Sequence, residues 1–264
     1  MQSALARNRV NVTGQGTQAL IFVHGFGCAQ DDWRKVAPKF ERDYKVIRYD
    51  LSGCGDASDA YDLERHHSLQ GHATDLLEIV HELGLTQPFL VGHAAGAISG
   101  ALAAIREPQT FAKLALLGAP PHYIDEPGYV GGASRTQIEA IVRGLEADYP
   151  IWCEQTVPLA MGHPSRPQLE AELVRSYQRI EPDIAMHFAH AQFYSDFRSA
   201  LPFVTTPTLV VQSPADMFVP FAVGQFLSQV IPSAELIQLQ TLGHYPQLTG
   251  PDELASVLHR WAAI

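Results

Sequence analysis

The sequence predicts an α/β fold: a mostly parallel central sheet flanked by helices, with a helical insertion in its second half. Three observations predict it. Short apolar runs alternate with helical patterns, the rhythm of a parallel sheet with right-handed crossovers. Most of those runs are dense in apolar residues, as strands buried on both faces are. Residues 121–200 then break the rhythm with consecutive helical patterns and no strand between them.

Taken in order, a weak strand Val10–Thr13 ends at the turn Gly14-Gln15-Gly16, and Ala19–His24 is an apolar run closed by Gly25. Residues 31–41 hold Trp33, Val36, Ala37 and Phe40 at helical spacing, and Lys45–Asp50 reads as the next strand. Residues 68–83 place Leu69, Ala73, Leu76, Leu77 and Val80 on one stripe. A strand at Pro88–Gly92 runs directly into an alanine-rich helix over 94–106, followed by a strand at Lys113–Gly118. Pro120-Pro121 opens the insertion, whose helices are expected at 134–148, 150–161, 167–179 and 181–197, and Pro202 closes it. Strands at Thr208–Gln212 and Glu235–Gln240 follow, and Pro251 starts a helix at Asp252–Trp261. The expected organisation is a core from residues 1–120 and 201–264 with a helical lid over 121–200.

The chain has 264 residues and a formal charge of −10 from 18 basic and 28 acidic residues. That balance argues against a nucleic-acid or anionic-membrane partner. Apolar residues make up 46% and charged residues 17%, a globular composition and not a disordered one. No apolar run approaches the roughly 18 residues of a membrane span. The start, Met1–Arg7, lacks the apolar stretch of a secretion signal. Cys28, Cys54 and Cys153 form no CxxC pair and are odd in number, so reduced thiols in a cytoplasmic protein are expected.

Chemistry concentrates at strand ends. Val91-Gly92-His93-Ala94-Ala95-Gly96 lies between a buried strand and a small-residue helix. With serine at position 94 it would read G-x-S-x-G, the nucleophile elbow. Alanine has no Oγ and attacks nothing, so the motif alone is equally a tight turn without chemistry. After the first strong strand comes His24-Gly25-Phe26-Gly27, where the N–H of Phe26 can face a substrate oxygen. The N–H of Ala95, at a helix start, supplies a second donor for an oxyanion hole. Asp216 follows the strand ending at Gln212, and His244, in Leu242-Gly243-His244-Tyr245-Pro246, follows the last strand. Both fall at carboxyl ends of parallel strands, where open α/β sheets place their sites. Position 94, Asp216 and His244 stand in the chain order nucleophile, acid, base.

With these residues in view, the sequence resembles the α/β-hydrolases that include the bacterial sigma-B activator RsbQ and the plant karrikin and strigolactone receptors. The markers are Gly25-Phe26-Gly27-Cys28 with Asp32-Trp33, Tyr61-Asp62-Leu63 with Ser68-Leu69, Gly131-Gly132, Ser195-Asp196, Pro202-Phe203-Val204-Thr205, and Gly243–Leu248 followed by Pro251-Asp252. They span nearly the whole chain. The resemblance implies an α/β-hydrolase fold with a Ser-Asp-His core under a V-shaped lid of four helices. It implies a deep apolar pocket for a small ester, enol ether or lactone, with no metal or organic cofactor. Position 94 is then the nucleophile, Asp216 the acid and His244 the base, with Phe26, Tyr123, Trp152, Phe193, Met217 and Phe218 at or beside the pocket.

The chain departs from the family at three positions. Ala94 replaces the serine, and Ala133 and Thr156 stand where aromatic residues are expected, so a wider cavity is expected. A serine-to-alanine variant and a natural pseudoenzyme both account for Ala94; retention of Asp216 and His244 favours the first. Ser99, Cys28, and Asp125 or Glu126 are weaker stand-ins for the missing or alternative triad members. His66, His67 and His72, and the pair His187 and His190, have no carboxylate evidently arranged to complete a zinc site. Besides ester or lactone hydrolysis, two readings stay open: a ligand-sensing regulator with a protein partner at the lid, and a C–C bond hydrolase using the same triad.

Overall fold

The computed structural model describes residues 3–162 and 165–263; Met1 and Gln2 of the N-terminal stretch, His163 and Pro164 of the insertion, and Ile264 lie outside them. The apolar runs become β1 (Asn11–Thr13), β2 (Ala19–Val23), β3 (Lys45–Arg48), β4 (Phe89–His93), β5 (Lys113–Leu117), β6 (Thr208–Gln212) and β7 (Ala234–Gln238). They form one sheet in the order β1-β3-β2-β4-β5-β6-β7, with only β1 antiparallel to its neighbour. The two-residue period of a strand sends alternate side chains to opposite faces. Leu20, Phe22, Val91, Ala115, Leu117, Leu209 and Val211 therefore pack on one side, with Trp33, Phe40, Leu254 and Leu258. Ile21, Val23, Leu90, Leu114, Leu116 and Val210 pack on the other.

Helices α1 (Ala4–Arg7), α2 (Leu69–Glu82) and α3 (Ala95–Arg106) lie in the first half of the chain. The helix expected over 31–41 is instead two 3-10 turns, Gln30–Trp33 and Ala37–Lys39. Pro38 has no N–H to carry an α-helical ladder through the segment, and i→i+3 bonds such as Val36 N–H to Trp33 O replace it.

Between β5 and β6 the chain forms α4 (Arg135–Ala147), α5 (Tyr149–Met161), α6 (Pro167–Gln178) and α7 (Pro182–Phe193). Local chemistry sets their starts. Ser134 and Gln137 make a reciprocal capping box on α4, Asp148 caps α5, and Pro167 and Pro182 open α6 and α7. The fourth helix stops at Phe193, short of the expected residue 197, because Asp196 takes the Arg198 N–H into a local turn. Three later helices complete the fold: α8 (Phe221–Val230), α9 (Pro246–Thr249) and α10 (Pro251–Ala263). Among the described residues, no helix is long and apolar enough to cross a membrane.

Candidate active site

The sheet order reverses between β2 and β4, since β3 lies on one side of β2 and β4 on the other. Ligand sites in open α/β sheets form at such a switch point, beyond the strands' carboxyl ends. Phe26 lies just past the end of β2 and Ala94 just past the end of β4. Ala94 has φ 48° and ψ −117°, a backbone conformation that a non-glycine side chain rarely adopts and that costs on the order of 1–3 kcal/mol. The neighbouring structure holds it there. The Ala94 N–H donates to Leu117 O at 2.9 Å, and a Cβ on Gly96 would lie 2.2 Å from His24 O. Only glycine at 96 lets α3 approach the end of β2 so closely. Strain of this kind at a strand-to-helix turn is the geometry of a nucleophile elbow.

Asp216 and His244 meet over the same turn. His244 Nδ1–H donates to Asp216 Oδ2 at 2.8 Å, with both side chains buried. The other carboxylate oxygen accepts the N–H groups of Phe218 and Val219 at 2.9 and 3.0 Å, which aims Oδ2 at the ring. With Nδ1 engaged, Nε2 is the nitrogen left for the cavity above Ala94. Gly118, at the end of β5, makes room for the pair: its φ is 46°, and a Cβ there would lie 3.4 Å from Asp216 Oδ2 and from the imidazole.

Two further histidines fix the surroundings. His93 Nε2–H donates to His244 O at 2.8 Å, tying the end of β4 to the loop that carries the imidazole. Burial, reinforced by the nearby His244, holds His93 well below the ordinary histidine pKa. His24 donates through Nδ1–H to Gly25 O at 2.8 Å and accepts the Leu51 N–H on Nε2 at 3.0 Å, which sets the loop carrying Phe26. Ala95 is the first residue of α3, so its N–H precedes the first intrahelical donor.

The cavity over Ala94 is lined by the expected Phe26, Tyr123, Trp152, Phe193, Phe218 and His244. It is far smaller than expected, about 10 Å³, room for the centre of one water molecule. The residues expected to widen it do not reach it. Ala133 is pinned in its loop by backbone bonds with Tyr123 and Asp125, and Thr156 sits half-buried one turn beyond Trp152, which supplies that wall. Met217 is 46% exposed and points to solvent, because the turn capped by Asp216 sends Phe218 inward in its place. Phe218 stands edge-on to His244, with ring centroids 5.3 Å apart. Two lining residues were not anticipated, Tyr177 at the end of α6 and Gln192 at the end of α7. The Tyr177 hydroxyl lies 2.8 Å from that of Tyr245. No local motif marks either position, because each reaches the site only through the way its helix docks.

The stand-ins lie elsewhere. Ser99 Oγ donates to Ala95 O within α3. Burial, with Asp32 adding to it, pushes the Cys28 thiol well above its ordinary pKa. Asp125 accepts the Gly131 and Gly132 N–H groups, and Glu126 pairs with Arg198. Contrary to the sequence reading, a carboxylate does stand with two of the histidines: Asp75 bonds His66 Nε2 at 2.9 Å, and His72 is close by. Its oxygens are taken up by Ser52, Arg7 and Arg65 as well, so it belongs to a buried ionic network. His187 and His190 form no metal-ligand group among the described residues, and Glu146 pairs with His190.

Comparison with known proteins agrees with this architecture. Residues 18–251 match the alpha/beta hydrolase fold family. A strigolactone esterase of Pisum sativum is 38% identical over 252 residues, 94% of each chain. A karrikin insensitive 2 receptor of Petunia hybrida is 33% identical over 255 residues, 96% of this chain and 94% of the relative. A hydrolase from Oleispira antarctica superposes with a TM-score of 0.95 at 31% identity, covering 98% of this chain and 96% of its own. The chain belongs to the α/β-hydrolase family, among relatives that include strigolactone esterases and karrikin receptors.

Proposed function

We propose that this is the site of a serine-type hydrolase for a small hydrophobic ester, enol ether or lactone, with its nucleophile position occupied by Ala94. The Asp216–His244 hydrogen bond beside the strained turn at Ala94 carries the reading. With a hydroxyl at position 94, His244 Nε2 takes its proton and the oxygen attacks the carbonyl. Asp216 holds the imidazole in the tautomer that can accept it. The N–H groups of Phe26 and Ala95 stabilise the oxyanion; as it collapses the C–O bond breaks and protonated His244 gives its proton to the departing alcohol oxygen, and water activated by His244 then releases the acyl group. As it stands, the chain can bind but cannot form that intermediate. The four-helix insertion is the lid in this reading, and the ligand enters beneath it.

The experiment is Ala94→Ser assayed on p-nitrophenyl acetate and butyrate. The variant is expected to turn over on the order of 10⁴-fold or more faster than the parent; equal rates would end the hydrolase reading. A second reading, a ligand-sensing regulator, is favoured by Ala94 itself and by the receptor relatives. It predicts a protein partner on α4–α7 and ligand-dependent amide exchange there; exchange indifferent to every ligand that binds would contradict it. Product analysis with a β-diketone separates the C–C hydrolase alternative from ester cleavage.

A further inference from the structure

Gln192 is the anomaly in the cavity wall. Apart from His244, the side chains around it are aromatic or apolar: Phe26, Tyr123, Trp152, Tyr177, Phe193 and Phe218, with Ala94. Gln192 sits on the last turn of α7 and is 6% exposed. Its Oε1 is buried and has no hydrogen-bond partner. A buried acceptor left unpaired is destabilising, and this one belongs to a side chain that lines the cavity over Ala94, where a ligand group can meet it. Ligand pockets are built in this way, from apolar walls with a few placed polar groups that fix orientation.

We infer that Gln192 is a specificity-determining residue whose carboxamide bonds a hydroxyl of the ligand, and that the site selects hydroxylated esters or lactones over their plain counterparts. A hydroxyl both donates and accepts, so it satisfies the carboxamide whichever of its two ends faces the cavity. The inference deepens the proposed function and rests on the cavity being the ligand site. It does not rest on turnover. The lining also explains why such a ligand displaces side chains to enter: the space present takes no more than a water, so the carboxamide and the neighbouring Phe193 and Phe218 move with the ligand's arrival.

The test uses the chain as it is, with Ala94, so that an ester persists once bound. Phenyl butyrate and its 2- and 3-hydroxy counterparts are titrated by calorimetry into the parent and into Gln192→Met, which keeps the length of the side chain and removes its polar end. At least one hydroxy ester is expected to bind the parent about 10-fold more tightly than phenyl butyrate, a ratio worth about 1.4 kcal/mol. In Gln192→Met that ratio falls to near one while the melting temperature rises, because the unpaired acceptor is gone. A purely structural glutamine would give the opposite, a lower melting temperature. Gln192→Leu gives the same comparison if the methionine variant does not fold. A parent with no preference for either hydroxy ester, or a preference that survives both substitutions, overturns the inference. Failure of Ala94→Ser to hydrolyse phenyl butyrate would overturn the hydrolase reading and leave the binding ratios standing, so the two failures are distinguishable.

Discussion

Asp216 uses one carboxylate oxygen on the imidazole and the other on its own turn, so changing it separates orientation from mere presence. In a chain carrying Ala94→Ser, Asp216→Asn preserves the volume but favours the wrong tautomer of His244. A loss of roughly 10⁴-fold in kcat is expected; near-full activity in a p-nitrophenyl ester assay would contradict the assignment. Phe218 is the residue that fills the space beside His244. Phe218→Ala in the same background should raise kcat/KM for p-nitrophenyl octanoate relative to acetate by roughly 10-fold or more, and an unchanged ratio would show that another wall sets the limit. Ala94, Asp216 and His244, the triad positions of the proposed hydrolase, were legible in the sequence because each follows its strand within a short local motif. The wall was legible only where it lies on those same loops. Gln192 and Tyr177 were not, because the rotation of α6 and α7 about their axes is decided by packing against a core remote in sequence.

At the scale of elements, α2 carries a buried polar group with a measurable cost in acid. His72 is fully buried, stacked on Phe188 and beside His66, with neither ring nitrogen hydrogen-bonded. Burial, aided by the neighbouring His66, pushes its pKa down to about 3, whereas an unfolded histidine titrates near 6.5. The native state therefore keeps its full advantage above about pH 6.5 and loses it as pH falls from there towards 3. Between pH 7 and 5 this one group should remove about 2 kcal/mol of stability. Melting curves should show the loss, and His72→Leu should make it shallower, leaving the share of His93, which burial also holds well below the ordinary histidine pKa; an equally steep pH dependence in that variant would contradict this assignment. The helical stripe of α2 was legible, since its apolar positions repeat at helical spacing. Two neighbours were misread or passed over. Pro38 makes 3-10 turns of a helix-like pattern, and α8, with Val223, Phe226, Leu227 and Val230 on one face, forms between two strands where no helix was expected.

Across the whole molecule, the insertion closes the carboxyl end of the sheet. Arg34 pairs with Glu172 and Arg179 with Asp56, exposed bridges worth roughly 0–1 kcal/mol each. Inner contacts hold more firmly: Phe26 packs on Phe188 and Tyr177 at 5.1 and 5.6 Å between ring centroids, and the His244 N–H donates to Ala160 O. If the proposed function holds, ligand admission requires the insertion to shift, and bound ester should slow amide exchange in α5–α7 while leaving β4 and β5 unchanged. Uniform exchange with and without ligand would show that the seal does not open. Strand alternation made the sheet and the place of the insertion legible. The tightness of the closed cavity was not, since it depends on which aromatic rings meet across it.

On the proposed function, the Asp216–His244 pair stands ready to activate a hydroxyl at position 94. Intact-mass spectrometry after exposure to a fluorophosphonate tests it most directly. The Ala94→Ser chain should gain a single phosphonyl group on the introduced serine, and neither the parent nor Ala94→Ser combined with His244→Ala should be labelled. An unlabelled Ala94→Ser chain, or equal labelling of all three, would contradict it.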